Sequence, residues 1–274
     1  MGERQNVIDR ALQSISRLCP PAPIMNSVLA EMSSGEISFA RLARLIQKDS
    51  VLTAAFLQRA NSAIFQRETT VRSVLQALTL LGTGDLERFA LSLSSSLSVP
   101  RTPLAPSFSR TRYARHASAT ALLTVLIERR LGNPHGSHAH LAALLHDISR
   151  LLVATGLPEE FSLITEHGSW DEDREMEVLG MSHAELSAIV LQSWKMSPEV
   201  IRAVEDHHSE QAPDSRPSLA AILHAADAYT AVLLSTAVPD IGDFDQSALC
   251  GLGIDAAIPA LVVELQTQSH LAPQ

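Results

Sequence analysis

Ala143-Leu144-Leu145-His146-Asp147-Ile148 is the stretch that decides how this 274-residue chain is read. Leu141, Leu144 and Leu145 before it, and Ile148, Leu151 and Leu152 after it, recur at spacings of three and four. That spacing makes one apolar helical face, so a helix from about 138 to 155 is predicted, with the His-Asp doublet set into its buried wall. A charge there is costly unless a cation or a polar partner compensates it. Imidazole and carboxylate are also the groups that hold divalent iron, manganese or zinc.

Working outward, further ligand-type residues accompany the doublet: His116 upstream, then His183, His207-His208 and Asp227 downstream. Helical periodicity surrounds each of them. A long helix from about 109 to 131 carries His116, and one from 182 to 194 carries His183 near its start. A helix from 198 to 207 delivers the double histidine at its end, and one from 218 to about 234 carries Asp227. The acidic run Asp171-Glu172-Asp173, with Arg174 and Glu175, reads as a helix start, where carboxylates suit the positive end of the dipole. His135, His138 and His140 fall in and beside a Gly-containing loop and read as a solvated cluster.

The amino-terminal part repeats the pattern in shorter pieces. Val7 to Leu18, Ile24 to Met32 and Phe39 to Ile46 form three amphipathic segments, broken by Pro20, Pro21 and Pro23 and by Ser33-Ser34-Gly35. Asp49 or Ser50 caps a fourth helix through Asn61, a fifth begins near Ser73 and stops at Gly82, and a sixth runs from about 85 to 98. The prolines between Pro100 and Pro106 mark a boundary. The expected layout is therefore a helical bundle over 7–99, a second helical half over 107–235, and a carboxy-terminal helix and tail over 236–274, with a helix at 254–265. No strand alternation, Gly-rich phosphate loop or tandem repeat is visible, so the fold class is all-α.

Composition excludes several functions. Apolar residues make up 46% and aromatics 4%, which describes an aliphatic helical core. The formal charge of −9 argues against a broad nucleic-acid footprint, and Arg101, Arg110, Arg112 and Arg115 are the nearest approach to a basic patch. Cys19 and Cys250 support neither a disulfide framework nor a zinc ribbon. Without a signal-peptide core or an apolar stretch of the ~20 residues a membrane helix needs, the expected setting is the cytoplasm, with no membrane partner.

The order of these motifs resembles the HD superfamily of metal-dependent phosphohydrolases and, more closely, the HDOD family of bacterial signalling modules within it. The resemblance rests on Leu18-Cys19-Pro20-Pro21-Ala22-Pro23, Gln47 to Thr53, Arg59-Ala60-Asn61-Ser62-Ala63 and Ala77 to Gly82. It continues through the doublet, Glu177 to Leu186, Trp194 with Pro198, Asp206-His207-His208 and Ala226-Asp227-Ala228. It implies a multi-helix fold with His116, His146, Asp147 and Asp227 around one divalent ion, and with His183 and His207 or His208 extending the set to a second. It further implies a regulatory output module acting through a protein partner or a ligand such as a nucleotide.

The rival implication is a phosphohydrolase of nucleotides or cyclic dinucleotides, in which Asp147 and Arg150 would serve the chemistry. A weaker third is a nucleic-acid-binding regulator using the arginines from 101 to 115. Ser149-Arg150 stands where cyclic-dinucleotide phosphohydrolases carry glycine and lysine, and Ser209 to Asp214 lacks their Gly-Tyr-Pro element. Arg112, one turn before His116, places a cation where some relatives have a glutamate.

Overall fold

A computed structural model describes residues 2–14, 22–33, 37–61, 71–95, 104–132, 134–168, 170–209 and 217–235. The motif residues 18–21 and 62–63, both cysteines, Arg101, the loop 210–214 and the carboxy-terminal helix and tail of the sequence reading lie outside the described residues. Within them the chain is all-α, with no strand. The elements are α1 (Gly2–Ser14), α2 (Ala22–Met32), α3 (Phe39–Ile46), α4 (Ser50–Ala60), α5 (Val74–Ser95), α6 (Arg110–Arg130) and α7 (Ser137–Leu145). They continue with α8 (Ile148–Gly156), α9 (Pro158–Ile164), α10 (Glu172–Leu179), α11 (His183–Ser193), α12 (Pro198–Glu205) and α13 (Leu219–Ser235). No single described helix is long and apolar enough to cross a membrane.

Two compact units form from discontinuous segments: residues 1–110 with 147–197, and residues 111–146 with 198–274. This grouping follows packing, whereas a division at 100–106 follows the order of elements along the chain. The chain passes from one unit to the other at 110–111, at 146–147 between His146 and Asp147, and at 197–198.

In the first unit α2 and α3 pack on α5, α4 packs on α5, and α1 packs on α8, α10 and α11. Met25, Leu42, Ile46, Leu52, Phe56, Leu57, Leu78 and Leu86 are fully buried, and Phe56 meets Phe89 edge-on at a centroid distance of 5.1 Å. Local chemistry sets the boundaries. Asp49 Oδ1 accepts from the Leu52 N–H at 2.8 Å and starts α4, and Asn61 closes it. Gly82 breaks α5 into two helical pieces with φ 68° and ψ 171°, a conformation only glycine adopts without strain. Asp171 and Ser182 cap α10 and α11 in the same way as Asp49 caps α4.

The α1–α8 contact admits no side chain at Gly156. A Cβ there would lie 2.7 Å from Ser14 Cβ and 3.1 Å from the Arg10 carbonyl. Gly156→Ala is therefore expected to lose about 1 to 3 kcal/mol of stability, the usual range for overpacking. A denaturant melt of Gly156→Ala with and without Ser14→Gly checks this. Equal stability of wild type and Gly156→Ala would refute the close approach.

In the second unit α7, α12 and α13 pack against one another, with Leu144, Leu145, Val200, Ile222 and Leu223 buried among them. One boundary departs from the sequence reading. The predicted helix from 138 to 155 is two helices, with His146 and Asp147 in the turn between them. Asp147 adopts φ −100° and ψ 17°, which ends the α-helical run and makes it the N-cap position of α8. The leucine spacing continues across the break, so periodicity alone does not reveal it.

Candidate metal centre

Four elements of the second unit deliver ligand-type side chains to one place. α6 carries His116, His146 stands at the end of α7, His207 follows α12, and α13 carries Asp227. His116 Nε2 lies 2.8 Å and His146 Nε2 3.2 Å from Asp227 Oδ1, and the two ring nitrogens are 3.3 Å apart. His207 joins this set, one ligand atom each from His146, His207 and Asp227 lying within 4.8 Å of one another. His146 and His207 are fully buried, and the side chains of His116 and Asp227 are largely so.

The imidazoles are oriented by backbone carbonyls. His146 Nδ1 meets the Ala143 carbonyl at 2.7 Å and His207 Nδ1 meets the Val204 carbonyl at 2.6 Å. A carbonyl only accepts, so each Nδ1–H donates and Nε2 is the nitrogen that would ligate an ion. His224 uses the same device one step out, its Nδ1 donating to the His207 carbonyl at 2.8 Å. His208 is exposed and its ring lies 4.0 Å from that of His207.

Burial pushes the Asp227 carboxyl up, but His116 and His146 outweigh it and hold it well below the usual carboxylate range. Its Oδ1 is nonetheless buried and accepts no well-angled hydrogen bond among the described residues. An oxygen facing two imidazole nitrogens is an arrangement that a cation at their meeting point would satisfy. The spacings of 2.8, 3.2 and 3.3 Å fit a divalent ion. Ligands ~2.0 to 2.2 Å from a shared ion stand roughly 3 Å from each other. The residues present thus suit one such ion.

The first unit holds a second polar group. Asp147, His183 and Glu175 are buried there, exposed by 3%, 1% and 0%. His183 Nδ1 meets Glu175 Oε2 at 2.9 Å, and its Nε2 lies 3.5 Å from Asp147 Oδ1. Arg150 Nη1 donates to Asp147 Oδ2 at 2.9 Å and Nη2 to His183 Nε2 at 3.2 Å. The guanidinium also lies over Trp170, 5.2 Å from the ring centroid. Ser149 Oγ donates to the His183 carbonyl at 2.8 Å and receives Ser187 Oγ at 2.9 Å, which seats α8 on α11.

Glu175 is the residue that sequence reasoning missed. In sequence it stands within a run of helix-start acids, yet it shares a face with buried Leu179, four residues on. That spacing was the available signal. The loop histidines also differ from their expected solvation. His135 Nδ1 lies 2.7 Å from Glu128 Oε1, a carboxylate with 1% exposure, and His138 Nδ1 lies 2.8 Å from Glu199 Oε2. An acid on α6, seven residues before His135, and another on α12, far from His138 in sequence, draw these rings inward. Arg110, Arg112 and Arg115 all lie in the first two turns of α6.

The HDOD domain family model matches residues 18–210. The fold is similar to that of the MmoQ response regulator from Methylococcus capsulatus str. Bath. That similarity has a TM-score of 0.75 at 24% identity and covers 89% of this chain and 97% of that one. It is also similar to a virulence factor from Campylobacter jejuni subsp. jejuni, with a TM-score of 0.68 at 15% identity over 98% of both chains. No curated protein matches the chain.

Proposed function

The chain belongs to the HDOD family, and from that premise we propose that it is a signal-transduction output module that acts by binding a protein or small ligand rather than by turnover. The observation that carries the proposal is the convergence of His116, His146 and Asp227, with His207, on a place suited to one divalent ion of iron, manganese or zinc. An ion held there would supply positive charge to the Asp227 carboxylate and join residues from α6, α7, α12 and α13. The Ala143 and Val204 carbonyls keep the two buried imidazoles turned towards it. His208, exposed and with its ring tilted against that of His207 at 4.0 Å, gives a surface contact a short route to the centre. The similarity to a response regulator is in keeping with a signalling role.

A second reading, a metal-dependent phosphohydrolase of nucleotides or cyclic dinucleotides, draws on the same ligand set, because a metal-bound water is a nucleophile near neutral pH. The two readings separate in one experiment. The purified chain, loaded with manganese, iron or zinc, is incubated with a panel of nucleotides and cyclic dinucleotides. The output-module reading expects no hydrolysis above the level of the His146→Ala, Asp147→Ala double variant. Turnover by the wild type that this variant lacks would replace it with the hydrolase.

A further inference from the structure

Asp147, His183 and Glu175 are by chemistry a cation-binding set, two carboxylates and an imidazole withdrawn from water. Their hydrogen bonds indicate a different occupant from a metal. A guanidinium has donors and no acceptor, so the contact from Arg150 Nη2 makes His183 Nε2 the acceptor. The opposite nitrogen, Nδ1, then carries the proton that Glu175 Oε2 receives. His183 thereby spends on Arg150 the lone pair it would need for an ion.

Asp147 is engaged by the same guanidinium through Oδ2, while its Oδ1 is the oxygen that faces His183 Nε2 at 3.5 Å. Arg150 follows it by three residues across the start of α8, and Nη1 reaches Asp147 Oδ2 at 2.9 Å. One rigid fork therefore spans both side chains, and the Trp170 ring beneath it favours a flat, weakly hydrated cation over a compact one. A divalent ion between Asp147 Oδ1 and His183 Nε2 would have to displace the fork from Nε2 and would meet the fixed positive charge that stays on Asp147 Oδ2. Asp147 and His183, as Arg150 holds them, do not fit a divalent ion between them.

We infer that Arg150 is a built-in cation that takes the divalent-ion position between Asp147 and His183, so that no metal binds between these two side chains. The inference concerns these residues alone and does not depend on the choice between output module and hydrolase.

The test counts ions. Full-length wild type, Arg150→Met, Arg150→Lys and the Arg150→Met, Asp147→Asn double variant are stripped of metal and dialysed against manganese or zinc, and bound metal is measured per chain. Arg150→Met is expected to hold one ion more than wild type, Arg150→Lys the same number as wild type, and the double variant to lose the extra ion. Equal counts in wild type and Arg150→Met would overturn the inference, as would an extra ion that survives Asp147→Asn. Should Arg150→Met fail to give a native circular dichroism spectrum, Arg150→Gln, an uncharged side chain that keeps an N–H donor, replaces it with the same expected outcomes. The reading is a difference between variant and wild type. A wild type that binds no ion would remove the metal centre proposed for His116, His146 and Asp227 while leaving this inference testable.

Discussion

Asp227→Asn is expected to abolish stoichiometric binding of a divalent ion while leaving the helical fold in place. The substitution keeps the shape of the side chain and removes the charge on which His116 and His146 converge at 2.8 and 3.2 Å. Loss of an outer partner of a metal ligand commonly weakens binding by ~10- to 100-fold, and loss of an anionic ligand should exceed that. The effect is readable without any substrate. An ion present at about 100 times its dissociation constant stabilises the native state by about 2.7 kcal/mol. For a chain of this size that is a rise in Tm of roughly 5 to 10 °C. Wild type should show this rise on adding manganese or zinc and lose it with a chelator, whereas Asp227→Asn should melt at one temperature in all three conditions. An equal metal-induced rise in both proteins would eliminate Asp227 as a ligand.

Much of this architecture was legible because local chemistry and packing agree. Asp49, Asn61, Gly82 and Ser182 each carry their own reason to begin or end a helix, and each boundary falls where that reason puts it. The break at His146-Asp147 was hidden because no glycine or proline marks it and the leucines keep their phase through it. α9 escaped for a related reason. Its seven residues begin at Pro158, a good first helical position, but hold only one turn of apolar spacing at Phe161 and Ile164. Ligand types can be read along a chain, but partners cannot. Nothing adjacent to His183 in sequence says that Glu175 is buried against it or that Arg150 reaches both it and Asp147. Such contacts depend on how α8, α10 and α11 pack, and that is set by the apolar faces around them.

That packing gives His183 a measurable structural role. His183→Ala would leave the Glu175 carboxylate at 0% exposure without its imidazole partner at 2.9 Å. Removing the donor from a buried acceptor costs about 1 to 3 kcal/mol, and more where the stranded group is a carboxylate. His183→Ala is thus expected to fall well below wild type in a denaturant melt. Adding Glu175→Gln to that variant removes the stranded charge and should recover part of the loss, because a buried amide is less costly than a buried carboxylate. A His183 that mattered as a metal ligand would behave otherwise: its deletion would cost nothing in chelator-treated protein, and Glu175→Gln would rescue nothing. Melts of wild type, both single variants and the double variant, all in chelator, therefore decide whether this imidazole holds the fold through Glu175 or serves an ion.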